Sequence, residues 1–301
     1  MTTASPSQLV WMRLVRHRLA LASLAFLAAL LVLSLAAPLI ADLRGVDPSA
    51  TDLFRRLEVP SAEHWLGTDD LGRDLFQRLL DGGRVSLLVG LTGALLSAVL
   101  GAVIGVVAGY LGGRLDSFLM RFTDGVISLP LLPLLIVLAA IDPRKIGVPA
   151  EIAQSETFSL YRIVIIVALT GWTTAARLVR AETLSLKARD FTRAAQALGA
   201  VPLRIMFRHI LPNAAGSLVV ATTLSAGTLI LLESTLSFLG LGTQPPAASW
   251  GNMLTGAQEL LQQAPLLAVW PGLLIFLTVI AFNFLGDGLQ DALDPRSERR
   301  T

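Results

Sequence analysis

The apolar segments of the chain constrain its fold more than any other feature. A helix that crosses a hydrocarbon layer about 30 Å thick needs roughly 20 apolar residues. Six stretches reach or nearly reach that length, near residues 19–41, 86–110, 119–141, 160–177, 215–240 and 267–286. Only 15% of the 301 residues are charged and 53% are hydrophobic, which is too apolar for an ordinary soluble surface. The sequence therefore predicts an all-α polytopic membrane protein with six transmembrane helices.

The first apolar stretch has two interpretations. It follows Arg13, Arg16 and Arg18, and a secretory signal peptide has the same order of basic and then apolar residues. Its apolar run of about 22 residues exceeds the roughly 7 to 15 residues of a signal-peptide core. We therefore interpret residues 19–41 as a retained anchor helix that follows a short tail, residues 1–18.

The charges of the loops predict the orientation of the chain. Short cytoplasmic loops carry an excess of Lys and Arg. Residues 177–213 contain seven basic and two acidic residues, whereas residues 42–84 contain six basic and nine acidic ones. Residues 142–156 contain two basic and three acidic residues, and residues 241–266 contain one acidic and no basic residue. The counts place residues 177–213 and the N-terminal tail in the cytoplasm, and the other three loops outside. Six spans then put the tail 289–301, whose own charges are mixed and uninformative, in the cytoplasm as well.

The basic segment between spans four and five has a helix-glycine-helix pattern. Its first apolar set recurs at the i, i+3, i+4 and i+7 spacing of one helical face: Phe191, Ala194, Ala195 and Leu198. Gly199 is suited to end this helix, Pro202 to begin a second one, and Pro212 to stop it. The second helix presents another apolar set: Leu203, Met206, Phe207 and Ile210. These residues alone fit either a connector on the anionic inner leaflet or a docking element.

The residue order of this segment resembles the EAA loop of bacterial ABC-importer permeases. That family has an alanine pair, a glycine four residues after the second alanine, and later a Leu-Pro step; here these are Ala194-Ala195, Gly199 and Leu211-Pro212. The resemblance implies a type I ABC importer permease fold whose core covers residues 85–288, with a coupling loop at 188–213 that fits a groove of the ATP-hydrolysing subunit. The candidate coupling residues are Asp190, Phe191, Arg193, Ala194, Ala195, Leu198, Gly199, Pro202 and Arg208. Arg193 departs from the family, which has a glutamate there, so no salt contact of that glutamate is carried over.

Residues 63–87, EHWLGTDDLGRDLFQRLLDGGRVSL, show an amphipathic pattern before span two. Its leucine stripe recurs at i, i+4 and i+8: Leu71, Leu75 and Leu79. Thr68 is a candidate N-cap, and Gly82-Gly83 is a candidate end of the helix. The pattern predicts a helix at the outer membrane face, as a collar or as a docking surface for an external partner. The segment resembles the signature of the dipeptide/oligopeptide-type permeases, with Gln77 replacing a frequent serine.

Two further segments resemble the same subfamily: LSFLGLGTQPPAASWGNML from Leu236 and GDGLQDALDPR from Gly286. On physical grounds the first is a turn-rich loop, because its prolines and glycines cannot continue a helix. The resemblance covers about residues 63–296 and favours the second, C-type permease of such systems. It implies a bacterial cytoplasmic membrane location, a second related permease, two cytoplasmic ATPases and an external substrate-binding protein. ATP and Mg would be used by those ATPases, and no cofactor is expected on this chain.

Span two carries a small residue at every fourth position over most of its length. These residues are Gly93, Ser97, Gly101, Gly105 and Gly109. In lipid, where no hydrophobic effect brings helices together, such a stripe allows close approach between helix backbones. The stripe therefore predicts a helix-packing surface within the membrane.

A few polar residues lie within or beside the spans. Arg121 and Asp124 begin span three, Glu233 lies late in span five, and Asn283 lies late in span six. A buried carboxylate is costly unless it is paired or hydrated. We therefore expect Glu233 in a polar cavity, near the outer water boundary, or bonded to a neighbour, and we assign these four residues to the translocation path or its gate. The alternative is an ion-gradient-driven secondary transporter that uses Glu233 and the Arg121/Asp124 pair.

Other classes of function lack their motifs. The chain has no G-x-x-x-x-G-K-[ST] loop for ATP, no G-x-S-x-G elbow, no cysteine, and no H-E-x-x-H pair, so no metal site and no catalytic residue is predicted. A net charge of +2 is too small to imply a nucleic-acid partner. A membrane-embedded enzyme is disfavoured because no nucleophile and base converge. The predicted function is the permease subunit of an ATP-driven importer of di- or oligopeptides or a related small solute.

Overall fold

A computed structural model describes residues 6–153 and 155–293. The predictions for residues 1–5 and 294–301, which belong to the two tails and to the end of the C-terminal motif, lie outside this range. Within it the chain forms helices and no β-strand. The helices are α1 (Pro6–Arg16), α2 (Arg18–Leu35), α3 (Ala37–Arg44), α4 (Leu75–Leu111), α5 (Gly113–Ser128), α6 (Leu131–Ala140), α7 (Ala150–Ala153), α8 (Glu156–Lys187), α9 (Asp190–Ala197), α10 (Pro202–Arg204), α11 (Leu211–Phe238), α12 (Trp250–Leu254) and α13 (Leu266–Leu293).

The predicted spans are present as five long helices and one broken one. Four of the five are α2, α4, α8 and α13, and the fifth runs continuously from Pro202 to Phe238 through α10, a π-helical turn and α11. The sixth consists of α5 and α6, which meet at an angle of 88°. Pro130 explains this bend, because proline disfavours helical conformation at the preceding residue and Leu129 is extended there. The predicted all-α membrane architecture is confirmed, including the interruption of span three.

The prediction of a separate amphipathic helix before span two is wrong. Residues 75–81 belong to α4, which begins after Asp74 rather than at Thr68 and does not end at Gly82-Gly83. The Asp74 side chain caps the helix by accepting a 2.8 Å hydrogen bond from the Gln77 N–H. The two glycines instead admit a distant residue: Cβ atoms added to Gly82 and Gly83 would lie 3.2 Å from the Trp250 nitrogen and 3.0 Å from its ring. The sequence could not show this contact because it joins residues far apart in the chain.

Pro212 does not stop a helix, contrary to the prediction. The turn at Ile205–Ile210 is π-helical, and the Leu211 N–H donates to the Met206 carbonyl. Pro212 follows this wider turn at the start of α11, and the helix continues through it. Two other helix boundaries differ from the prediction. α8 extends to Lys187 rather than ending at residue 177, and the predicted anchor helix 19–41 is divided at Ala36 into α2 and α3.

The small residues of α4 lie against α8. A Cβ atom added to Gly101 would come within 2.6 Å of the Trp172 carbonyl oxygen, and one added to Gly105 within 2.5 Å of the Ala176 carbonyl oxygen. Three other members of the stripe also face neighbouring helices: Gly93, Ser97 and Gly109. The backbones of α4 and α8 are therefore in direct contact over several turns, which only small residues permit.

This contact predicts opposite effects for two glycine substitutions. Gly105→Ala should destabilise the purified protein by about 1 to 3 kcal/mol, because the added methyl group overlaps α8. Gly125→Ala on α5 is the matched control, since a Cβ atom there meets nothing within 4 Å. It should gain up to about 1 kcal/mol from helix propensity alone. Unfolding midpoints in detergent measure both effects, and equal stabilisation of the two variants would contradict the packing.

A buried ion pair attaches the end of α3 to the start of α4. Arg44 donates to both carboxylate oxygens of Asp74 at 3.0 Å, and the His64 Nδ1 lies 2.9 Å from Asp74 Oδ2. The Arg44 guanidinium also lies 4.6 Å from the centroid of the Trp65 ring. Burial raises the pKa of Asp74, but hydrogen bonds from Arg44, the Gln77 N–H and His64 outweigh it, so that the pKa lies below its usual value.

The lowered pKa of Asp74 predicts how this attachment depends on pH. A carboxylate whose pKa is lower in the folded state contributes stability above its unfolded pKa of about 3.9, and loses it as the pH falls through the folded value. We expect the Gln77 N–H to stay protected from hydrogen exchange at pH 5, after correction for intrinsic rates, and to lose protection below about pH 4. In Asp74→Asn, which keeps a capping oxygen, protection should be lower and independent of pH.

Candidate functional site

The basic segment forms the helix-glycine-helix frame that its sequence predicts. α9 ends at Ala197, and Gly199 has a φ of +79°, a left-handed conformation that favours glycine. The Thr192 hydroxyl donates to the Leu186 carbonyl at 2.8 Å and fastens the start of α9 to the end of α8. Residues 188–213 are therefore a folded element at one end of the bundle, and we keep the name coupling loop for them.

The coupling loop exposes a row of apolar side chains. The exposed members are Phe191, Ala194, Leu198, Leu203 and Phe207. Leu198 is 87% exposed, whereas Met206 and Ile210 on the same segment are buried against Val106 and Val179. The predicted apolar set of the second helix is thus divided between the bundle and the surface. The remaining candidates of the loop are also exposed, namely Asp190, Arg193, Pro202 and Arg208, whereas Ala195 is half-buried.

Tyr110, at the end of α4, connects the coupling loop to the bundle. Gln196 Nε2 lies 3.4 Å from the Tyr110 hydroxyl, and Lys187 Nζ donates to the Tyr110 carbonyl at 2.6 Å. Tyr110 is buried in the cluster that also contains Val106 and Ile205. The sequence analysis missed Tyr110, Lys187 and Gln196, because no motif links residues that are 77 to 86 positions apart.

A cavity of about 1170 Å³ lies between α5, α6, α8, α11 and α13. Leucine, valine and isoleucine supply 11 of its 23 lining residues, and small, hydroxyl and amide residues supply most of the others. The polar lining residues include Thr170, Thr174, Ser217, Asn283 and Gln290. Arg177 also lines the cavity and forms a 2.5 Å ion pair with Asp124. A volume of this size with few fixed charges suits a small polar or amphipathic solute.

The four residues assigned to the path or gate are not all in this cavity. Asn283 lines it, and Asp124 reaches it through its ion pair with Arg177. Arg121 is exposed on α5 and, like Glu233, is not among the lining residues. The sequence grouped the four by charge and depth alone, and helix orientation separates them.

A second ion pair also attaches α5 to α8. Arg180 contacts both Asp116 oxygens, at 2.5 and 2.6 Å, one turn from the Arg177–Asp124 pair. Thr123 is the one buried residue of α5 in the described structure, and Leu119, Met120 and Val126 are half-buried. These two pairs, together with the stacked rings of Phe122 and Trp172 at 6.1 Å, connect the α5 wall of the cavity to α8.

Glu233 is fully buried in a cluster of serines. The Ser237 hydroxyl donates to Oε1 at 2.7 Å, and the Ser86 and Ser234 hydroxyls donate to Oε2 at 3.0 and 3.4 Å. We call these four residues the Glu233 cluster. Of the three environments expected for this carboxyl group, the structure shows bonds to neighbours, and these partners include neither a histidine nor a second carboxylate.

Comparison with known proteins identifies the family. Residues 101–299 match the model for the binding-protein-dependent transport system inner membrane component, and residues 5–60 match the model for the N-terminal TM domain of oligopeptide transport permease C. The chain belongs to the family of binding-protein-dependent transport system inner membrane components. This permease family contains multi-span proteins of the bacterial inner membrane, and the comparisons give no support to an ion-gradient-driven carrier.

Relatives and a solved structure agree with this assignment. The permease is 40% identical to the dipeptide transport system permease protein DppC of Bacillus subtilis, over 98% of this chain and 87% of that one. It is 37% identical to the oligopeptide transport system permease protein OppC of the same organism, over 93% and 86% of the two chains. Its fold matches a chain of the MetNI methionine ABC transporter in inward-facing conformations with a TM-score of 0.56 at 20% identity, covering 73% of this permease and 96% of that chain.

The cavity predicts where a water-soluble reagent can reach the permease. The chain has no cysteine, so a single introduced thiol reports its own surroundings. Asn283→Cys should react quickly with a charged maleimide in the assembled membrane complex, because Asn283 lines the cavity. Phe276→Cys on the same helix is the control: Phe276 is 58% exposed but is not a lining residue, and lipid should protect it. Labelling of Asn283→Cys that is as slow as that of a lipid-protected Phe276→Cys would show that the cavity is not hydrated.

Proposed function

We propose that this permease is a transmembrane subunit of an ATP-driven importer that moves di- or oligopeptides, or a related small solute, across the bacterial cytoplasmic membrane. The observation that carries the proposal is the uncovered apolar row of the coupling loop. A folded element that exposes Leu198 at 87% and Phe207 at 43% fits a surface that a partner covers. The peptide systems of the relatives DppC and OppC support the substrate class.

The charge distribution supports an orientation with the coupling loop in the cytoplasm. The seven basic residues of positions 177–213 favour that side. Both termini then also lie inside, and the segments 42–84 and 241–266 lie outside. In this orientation two cytoplasmic ATPases contact the coupling loops of the complex, and an external binding protein delivers the substrate.

The cavity supports a second permease as the partner that completes the path. One side of the cavity is formed by α5 and α6, which have few buried residues of their own. A related subunit packed beside them would close a shared translocation path. The lining hydroxyl and amide groups can bond a peptide backbone while the apolar walls tolerate different side chains. Selection among peptides then depends mainly on the binding protein.

The mechanism begins at the coupling loop. The ATPases bind ATP and Mg and close, which moves α9 with them. Gln196 and Tyr110 pass this displacement to α4, and the short link around Gly199 passes it to the continuous helix 202–238. Because α4 and α8 are in close backbone contact, they move together. The cavity thus alternates between outward and inward access without any catalytic group on this chain.

Leu198→Asp tests the docking assignment. A charge in the centre of the apolar row should reduce recovery of the ATPases with the affinity-purified permease by at least about tenfold, because burying it without a partner costs several kcal/mol. The stability of the isolated permease should not change, because Leu198 is exposed. Leu53→Asp is the matched control, an exposed leucine (64%) in the segment that precedes α4.

Equal recovery of the ATPases with both variants would contradict the docking surface. Loss of recovery with both would indicate a general defect rather than a local one. ATP-dependent peptide uptake by proteoliposomes with the complete complex then tests transport itself. Uptake that persists without the ATPases and collapses with an uncoupler would overturn the proposal.

A further inference from the structure

Two long helices that contact the coupling loop, α4 and the continuous helix 202–238, are also joined on the side of the bundle remote from the loop. α4 contacts the loop through Tyr110, and the continuous helix 202–238 begins within it. With 37 residues each and a rise of about 1.5 Å per residue, both are about 55 Å long. In the half of α4 remote from Tyr110, Ser86 donates a hydrogen bond to Glu233, which lies close to the end of α11. The Glu233 cluster therefore joins the two helices in the half of the bundle remote from the coupling loop.

The same cluster holds residues 239–256, which we call the far loop. The Ser86 hydroxyl accepts a 3.2 Å hydrogen bond from the Trp250 N–H, and the Ser237 hydroxyl accepts one of 3.2 Å from the Thr243 N–H. Each hydroxyl has a single proton, which it donates to Glu233, so its lone pairs are directed at the loop. One carboxyl group thereby orients two hydroxyls that bind the far loop at two separate points.

Hydrogen bonds within the far loop connect its two halves. Ser249 and Asn252 form a capping box at the start of α12, and the Asn252 side chain donates to the carbonyls of Thr243 and Ala247. Trp250 is fully buried, and its indole N–H donates to the Leu79 carbonyl of α4 at 2.9 Å. The loop therefore follows the helix ends to which it is attached.

The position of the far loop sets the shape of a second cavity of about 350 Å³. Thr243 and Asn252 of the loop form part of one wall, and Asp69, Arg73 and Arg78 form part of another. The Arg78 side chain is buried beside Asp69, at 3.2 Å. A displacement of the loop would change this cavity and the surface around it.

We propose that Glu233 is a positioning residue that fixes the far loop to α4 and α11, and that motion of the coupling loop reaches the external face of the permease through this attachment. The inference rests on the proposed function, because it assigns to ATPase closure a structural consequence at the side that receives the binding protein. A fully buried carboxyl group is a costly way to fill space in a membrane protein. In this structure the carboxyl group orients the hydroxyls of the two serines that bind the far loop.

The test uses the complete complex in proteoliposomes and two introduced labelling sites. Ala247→Cys places a spin label on the far loop, and Ala197→Cys places one on the coupling loop; the chain has no other thiol. Each label is combined with Glu233→Leu, Glu233→Gln, Ser86→Ala or Ser237→Ala. Thr235→Val is the matched control, because its hydroxyl donates within α11 to the Leu231 carbonyl, at 2.8 Å.

Glu233→Leu should make the label at 247 more mobile and leave the label at 197 unchanged. The stimulation of ATP hydrolysis by the binding protein, taken as the ratio to hydrolysis without it, should fall about tenfold, as expected when two buried hydrogen bonds lose their acceptor. Glu233→Gln should give an intermediate loss, because its single amide oxygen can still accept a hydrogen bond from one of the two serine hydroxyls. Each serine variant removes one of the two hydroxyls that bind the far loop, so its loss should also be intermediate. Thr235→Val should match the unmodified complex.

Two results would overturn the proposal. The first is an immobile label at 247, or an unchanged stimulation ratio, in Glu233→Leu and in both serine variants. The second is equal mobility gains at 247 and 197, which would indicate a general loss of structure. Failure of the unmodified complex to import peptide with ATP would instead contradict the proposed function, while the mobility of the label at 247 would still test the role of Glu233.

Discussion

The backbone contact between α4 and α8 is the constraint on which the rest of the structure depends. In lipid, helices are held together by close packing and polar bonds rather than by exclusion of water. The glycines of α4 bring the two backbones together at the level of Trp172 and Ala176. This contact fixes the polar groups of α8 that hold α5, and it places Tyr110 beside Lys187 and the coupling loop. Bulkier residues on α4 would separate all of these groups at once.

Local patterns in the sequence predicted the features that depend on neighbouring residues. The spans follow from length and hydropathy, the bend of span three from Pro130, and the end of α9 from Gly199. The errors concern residues whose role is set by distant partners. Gly82-Gly83 has the composition of a helix end, but it accommodates Trp250, which is more than 160 positions away. Pro212 is a residue type that often ends a helix, but a π-helical turn precedes it and the helix continues.

The polar groups within the bundle form two separate environments. Those of the cavity are uncharged or form the exposed Arg177–Asp124 pair, and they face a space that can hold a solute. Those of the Glu233 cluster are fully enclosed and bond one another and the far loop. A sequence shows both as polar residues in apolar segments, because the orientation of each helix decides between them. The enclosed cluster suits a fixed joint, and the open lining suits transient contacts with a passing substrate.

The residues that hold the conformation of the coupling loop are different from the residues that carry its charge. Its frame depends on Thr192, on Gly199 and on the buried residues Ile205 and Met206, none of which carries a charge. Arg193, where the family has a glutamate, is exposed and makes no ion pair or side-chain hydrogen bond within residues 6–153 and 155–293. The fold therefore tolerates either sign of charge at this position. In the proposed complex, any consequence of the arginine would arise at the surface of the ATPase that docks there, so the charge at this position can change with the partner while the helix-glycine-helix frame is retained.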